Sequence, residues 1–309
     1  MGLRRLAAIL ALPCAVLFLT SCLARRRVIT RNKTATPQAL LNADKEWLLQ
    51  RIETQYKLMD TLNATVDMAP AVGSVNKGQI TEYKDVRAYI LFKKPAEIRI
   101  IGLYPVVRTK AFDMASTGAE FRVFLPSKNR FLVGRTEPLT VPSANKLENL
   151  RPSVFLDALL IRPPGANETA VVEDLTDEDN AVYIVHFMYT GPDGELHQAR
   201  AVWFDRLKLH IVRQIIFNPK GDILTDVRYS DWRGYDGVPF PKVIDINRPQ
   251  DEYGVVITVV KADINKPIGD EKFALEQPEG TVLQVLGSKQ EERPAGAESS
   301  ASRKKQSTN

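Results

Sequence analysis

Residues 88–99, AYILFKKPAEIR, decide how the chain is read. Tyr89, Ile90 and Phe92 belong to a run rich in aromatic and β-branched side chains; the run stops at Lys93-Lys94-Pro95 and apolar spacing resumes at Ile98. A strand, a proline-marked turn and a second strand are the expectation. The pattern continues on both sides, predicting strands at 63–68, 84–92, 97–103, 107–114, 120–125 and 130–133. Turn formers separate them: Lys94-Pro95, Tyr104-Pro105, Ser116-Thr117-Gly118 and Pro126-Ser127-Lys128-Asn129. Connections this short join antiparallel neighbours.

Between 142 and 163 the character changes, and Val154, Phe155, Ala158 and Leu159 predict a short helix after Arg151-Pro152-Ser153. Strands are expected again at 170–175, 182–189, 197–205, 210–218, 223–231, 242–247 and 255–262, with clear turns at Gly191-Pro192-Asp193-Gly194 and Asn218-Pro219-Lys220-Gly221. Upstream, Thr36-Pro37 is a hydroxyl cap followed by proline at the first helical position. Leu41, Leu48, Ile52, Tyr56, Met59 and Leu62 then fall near helical spacing, so one long amphipathic helix over 37–61 is expected. The fold class is α+β, a single domain over 37–287 in which a curved antiparallel sheet carries helices on one face. Residues 182–185 and 255–260 are apolar at nearly every position, which requires cover on both faces or an interior to line.

The first residues carry an export pattern: Arg4 and Arg5, an apolar run over 6–19 broken by Pro13, then Leu19-Thr20-Ser21-Cys22. This resembles a bacterial lipoprotein signal, with 1–21 removed and Cys22 carrying diacylglycerol and an N-acyl chain such as palmitate. A transmembrane anchor is the alternative, but the run is shorter than the ~20 residues a span needs. Cys14 would leave with the signal, so Cys22 would be the one cysteine and no disulfide could form within a chain. Without Arg4 and Arg5 the chain has 40 basic residues against 37 acidic ones, a balance that gives no argument for nucleic acid. Residues 22–36, with Arg25, Arg26, Arg27, Arg31 and Lys33, read as a lipidated basic tether against anionic head groups or as a solvated linker. Leu23, where aspartate retains lipoproteins at the inner membrane of enteric bacteria, implies by the same resemblance an outer-membrane anchor facing the periplasm. The tail, 288–309, has almost no apolar residues and is expected to be disordered.

No catalytic constellation stands out. His186, His197 and His210 sit in or beside expected strands without metal-ligand spacing, and no G-x-S-x-G elbow or phosphate loop is present. The acidic group Glu173-Asp174 and Asp177-Glu178-Asp179 lacks the EF-hand order and reads as a solvated turn. The Asn-x-Thr triplets at Asn32, Asn63 and Asn167 are chance occurrences in a bacterial lipoprotein. A non-enzymatic protein without cofactor or metal is expected.

Three stretches together resemble the LolA/LolB family of lipoprotein carriers and receptors. Residues 88–99 look like the family's early strand, ending in a basic pair and proline; residues 116–126, STGAEFRVFLP, look like its following hairpin; residues 273–280, FALEQPEG, look like its closing strand and Pro-x-Gly exit. With Gly237-Val238-Pro239-Phe240-Pro241, the likeness spans roughly 38–286. It implies an incomplete antiparallel β-barrel with a long N-terminal helix and short helices covering a hydrophobic cavity. Ile90, Phe92, Ile98, Ile100, Val107, Phe121, Val123, Ile184, Phe187 and Trp203 are the candidate wall for an acyl chain, and ordinary core packing accounts equally for each. In the soluble carrier, the position matching Lys94 is an arginine that holds a helical lid shut; lysine cannot make the same planar fork of hydrogen bonds. Leu103 and Tyr104, with Ile101, Val106 and Val107, surround the Tyr104-Pro105 turn. Burial is the first expectation for them, and an exposed loop dipping into a bilayer, as in the LolB-like receptor, is the second. The resemblance implies a tethered receptor or carrier in lipoprotein or lipid trafficking, with the membrane and an acyl lipid or lipoprotein cargo as partners. The alternative is a tethered sensor or interaction protein that binds an envelope protein partner.

Overall fold

The computed structural model describes residues 38–74, 78–135 and 151–286. The signal at 1–21, Cys22 with the tether at 22–36, and the tail at 288–309 lie outside the described residues. Helix α1 spans Lys45–Lys57 and α2 spans Pro152–Leu159. The first strands are β1 (Thr61–Ser74), β2 (Gln79–Glu82), β3 (Val86–Lys93), β4 (Glu97–Leu103), β5 (Lys110–Ser116), β6 (Glu120–Leu125) and β7 (Arg130–Arg135). After α2 come β8 (Thr169–Thr176), β9 (Ala181–Thr190), β10 (Leu196–Asp205), β11 (Ile211–Phe217), β12 (Ile223–Tyr235), β13 (Val238–Arg248), β14 (Tyr253–Ile264) and β15 (Val282–Val285).

All these strands join one unclosed, curved sheet in the order β15-β7-β6-β5-β4-β3-β1-β14-β13-β12-β11-β10-β9-β8, with β2 pairing on β1. Neighbours are antiparallel apart from β15, which runs parallel to β7. The β1–β14 pairing closes the meander of the first half onto the last strand of the second. Residues opposite one another share a face, so the register through Ile100↔Met114, Ile90↔Ile100, Ala64↔Ile90 and Ala64↔Ala262 defines one inner face. Both helices pack on it: Leu48 and Ile52 of α1, and Val154, Phe155 and Ala158 of α2, belong to the same buried cluster as these strand residues.

The long N-terminal helix is corrected to 13 residues. Asp44 is the cap, its Oδ1 accepting from Trp47 N–H at 2.8 Å, so the helix begins there; Thr36 and Pro37 lie outside the described residues, and 38–44 are not helical. Leu41, counted as part of the helical stripe, lies in a non-helical segment bonded to the β10–β11 turn. At the other end Asn265 stops the helix, donating from Nδ2 to Leu58 O at 2.8 Å and accepting from Asp60 N–H at 2.8 Å.

The expected closing strand at 273–280 is also corrected. That stretch follows a 3-10 turn at Asp270–Lys272, and arginine side chains bond its carbonyls: Arg99 Nη1 donates to Lys272 O and Ala274 O, and Arg122 Nη1 to Leu275 O. The ladder strand comes later, as β15, after Pro278 and Gly280. Strands β12 and β13 run longer than expected because Asp236 and Gly237 both adopt positive φ in a two-residue turn that matches strand twist. Pro239 and Pro241 stand where β13 extends past its pairing with β14, the edge position a proline tolerates.

Candidate functional site

The alternation of β3 and β4 puts Ile90, Phe92, Ile98 and Ile100 on the inner face. Phe121 and Val123 of β6 join them through Phe121↔Ser116 and Val123↔Met114, and Phe187 does so from the far half of the sheet. Seven of the ten candidate wall residues therefore share one surface. Gly102 belongs to it too, and a Cβ there would stand 2.2 Å from the Phe112 ring, so glycine lets that ring lie flat across β4. Ile90, Phe92, Ile98, Ile100, Phe121 and Phe187 are fully buried. Helices α1 and α2 cover this face, with Leu48, Ile52, Val154, Phe155 and Ala158 in the same buried cluster as Ile90, Phe92, Ile98, Ile100 and Phe187.

Three candidates lie elsewhere. Ile184 and Trp203 are opposite one another on the outer face, where Arg213 stacks its guanidinium 5.1 Å from the Trp203 ring. Their parity was unreadable because 182–185 is apolar on both faces and a bulge between Gln198 and Arg200 shifts the β9–β10 register. Val107 precedes β5 in the β4–β5 loop, which Arg108 turns with a φ of 53°.

That loop is an exposed apolar feature of its rim. Tyr104 N–H donates to Thr109 O and Arg108 N–H to Tyr104 O, closing a tight turn whose tip carries Val106 and Val107, 90% and 68% exposed. Leu103 is half-buried and Tyr104 is exposed. The expectation of burial for this cluster is therefore overturned for Tyr104, Val106 and Val107. Arg108 and Lys110 flank the tip.

Lys94 stands at the opposite rim and fastens α1. Its Nζ donates to Tyr56 O and to Asp60 Oδ1, the latter at 3.1 Å, and lies 4.2 Å from the centre of the Tyr56 ring. A cation at the C-terminal carbonyls of a helix is favoured by the helix dipole. Beside this clasp, Tyr56, Met59, Leu159, Tyr229, Trp232 and Phe240 line a cleft of about 20 Å³, room for a single water. The Tyr229 hydroxyl is buried there without a protein partner, and burial pushes its pKa up.

The histidines and the acidic group have structural partners. His186 lies between Glu173 and Gln198 on the outer face, and His197 between Asp193 and Pro219 O. Asp177 Oδ1 accepts from the N–H groups of Asp179 and Asn180 in the β8–β9 turn. Sequence reasoning missed Arg200, whose guanidinium covers Phe187 on the inner face and bonds Arg162 O, Pro163 O and Glu168. The signal was present: a charge inside an apolar strand must be paired to be buried.

The unclosed antiparallel sheet with helices packed on its inner face is the arrangement expected from the resemblance in sequence. The chain is similar to a LolA superfamily protein from Nitrosomonas europaea at 14% identity and a TM-score of 0.48, over 76% of this chain and 99% of that one. It is similar also to a candidate outer membrane lipoprotein-sorting protein domain from Vibrio parahaemolyticus at 11% identity and a TM-score of 0.47, over 73% and 94% of the two chains. No protein-family model matches the chain, and no curated protein matches it by sequence.

Proposed function

We propose that this chain is a non-enzymatic, membrane-anchored protein of the bacterial cell envelope that handles an acyl lipid or a lipoprotein, held through Cys22 at the outer membrane and facing the periplasm. The observation that carries the reading is the exposed apolar tip Tyr104–Val106–Val107, flanked by Arg108 and Lys110, on a sheet whose inner face is wholly apolar along β3 and β4. An exposed valine pair on a tight turn suits contact with lipid better than with water. Transfer of an acyl chain to the inner face requires α1 and α2 to move, because the face is packed. Each methylene sequestered gains ~0.8 kcal/mol, so a cargo of ordinary chain length could offset the opening.

The buried, helix-covered inner face favours a second reading, a tethered sensor or interaction protein that carries no cargo. Val106→Glu separates the two when the lipidated chain is tested for acceptance of a fluorescent lipoprotein or lipid into vesicles. Loss of transfer with unchanged thermal unfolding supports the carrier; a protein that purifies free of lipid, takes none when offered it and ignores vesicles belongs to the second class. Leu103→Glu is the less clean variant, since Leu103 is half-buried.

A further inference from the structure

The β4–β5 loop does not stand alone on its rim. Following chain direction through the antiparallel register, β1 ends at the rim where β4 delivers this loop, because β1 pairs with β3 from Thr61↔Lys93 to Met68↔Val86 and β3 pairs with β4 as far as Arg87↔Leu103. Beyond Met68, β1 continues and takes β2 as its partner, from Ala71↔Glu82 to Ser74↔Gln79. Strand β2 therefore continues the column of β3 outward, beside the column that β4 ends in its loop. Tyr83 N–H donates to Pro70 O at 2.9 Å, which sets Tyr83 just past the first residues of β3, on the rim that carries the loop. Gly73 makes the pairing close: a Cβ there would stand 2.2 Å from Gln79 O.

All four residues of β2 are exposed, Ile80 by 54%, and Tyr83 is exposed by 51%. A solvated strand extension gains nothing from an exposed tyrosine beside Pro70 and an exposed isoleucine opposite Gly73, on the rim that also carries the exposed valine pair. Tyrosine, apolar in body and polar at the tip, suits the boundary between head groups and acyl chains.

The chain also reaches far enough. The N-terminal segment leaves the domain at the other rim, where Leu41 is bonded to Arg206 in the β10–β11 turn. The covalent path from Cys22 to Leu41 spans at most about 65 Å, whereas the 14-residue β1 covers about 46 Å. The β2 rim can thus meet the same membrane that holds Cys22.

We infer that β2 and its link to β3, through Ile80 and Tyr83, form with the β4–β5 loop one two-pronged surface that seats on a lipid bilayer. The inference rests on the reading of that loop as membrane-seeking. The test places an environment-sensitive fluorophore on the lipidated full chain at Ile80→Cys, at Val106→Cys and, as the far-rim control, at Thr117→Cys. Each is reconstituted in nanodiscs of phosphatidylethanolamine and phosphatidylglycerol, with and without brominated acyl chains. Quenching at positions 80 and 106 but not at 117 is the expected result. Quenching at 106 alone overturns the inference and leaves the proposed function standing; quenching at neither site overturns both; quenching at all three removes any special rim. As an independent readout, Ile80→Glu combined with Tyr83→Glu should lower partition into these bilayers about tenfold or more with unchanged thermal unfolding. Unchanged partition overturns the inference.

Discussion

Arg206 and Leu41 exchange two hydrogen bonds: Leu41 N–H donates to Arg206 O at 2.7 Å, and Arg206 Nε donates to Leu41 O at 3.1 Å. The rest of the guanidinium is occupied as well, by Asn42 Oδ1, Thr176 Oγ1 and both oxygens of Asp174, and it lies 4.5 Å from the centre of the Tyr183 ring. A side chain with so few donors left over has one arrangement. It fixes where the N-terminal segment enters the domain, ahead of the Asp44 cap.

Arg206→Ala is accordingly expected to cost about 1.5–3 kcal/mol, the range for hydrogen bonds to a charged group. Chemical denaturation measures the loss, and amide exchange at 38–43 should quicken more than exchange in the central strands. Equal acceleration throughout would mean that the clasp serves the whole sheet instead of its entry segment.

Asp113 is the corresponding tie for the C-terminal segment. It is fully buried on the outer face and takes both forks of Arg99, at 2.9 Å each, with Lys110 Nζ at 2.8 Å. Burial alone would push its carboxyl up; the hydrogen bonds from Arg99 and Lys110 outweigh that and hold it below the usual range. Arg99 in turn carries the carbonyls of Lys272 and Ala274. Asp113→Ala strands the arginine and should cost about 3–5 kcal/mol, with early exchange of the β15 amides. A loss under about 1 kcal/mol would show that the pair contributes little beyond its own desolvation.

What could be read from the chain beforehand divides along physical lines. Strands β4 and β6 match their expected limits, 97–103 and 120–125, because apolar residues alternate between turn formers at both ends. Strand β2, QITE, carries no such alternation, and its pairing is decided by the close approach at Gly73. On the inner face, Ile90, Phe92, Ile98 and Ile100 were legible from period-two spacing, whereas Ile184 and Trp203 were not, since neighbours on both faces are apolar. The helix start failed through competition between two caps: Thr36-Pro37 is a good signal, but the tertiary clasp on Leu41 and Asn42 leaves Asp44 as the first cap a helix can follow.

Whether the inner face is filled or merely covered can be decided by truncation. Ile100 has no exposed surface and lies among Ile90, Met114 and α2. In a filled core Ile100→Ala should cost about 2–5 kcal/mol, transfer plus residual cavity. Denaturant midpoints at constant slope measure it. A cost below about 1 kcal/mol would point to a loosely packed face already able to admit an acyl chain.

His197 joins two turns in a way that makes stability depend on pH. Nδ1 faces Pro219 O at 2.9 Å and Nε2 faces both oxygens of Asp193 at 2.9 Å, so each ring nitrogen meets only acceptors and the imidazolium alone satisfies both. The ring stacks on Tyr189, 5.5 Å between centres. The hydrogen bond with Asp193 raises the His197 pKa, Pro219 O and the charge of Glu195 adding to it, and the same bond lowers the pKa of Asp193. A raised histidine contributes stability that is complete below its ordinary value of about 6.5 and disappears as pH climbs through the folded value. A lowered carboxylate contributes stability that is complete above its ordinary value of about 3.9 and disappears as pH falls through the folded one. The stability difference between the natural chain and His197→Gln should therefore be widest between about pH 4 and 6.5 and narrow on both sides. A titration of the ring by NMR should place its pKa above that of a free histidine; a ring that titrates at or below it, with a stability difference flat from acid to alkali, would contradict the charged bridge between the β9–β10 and β11–β12 turns.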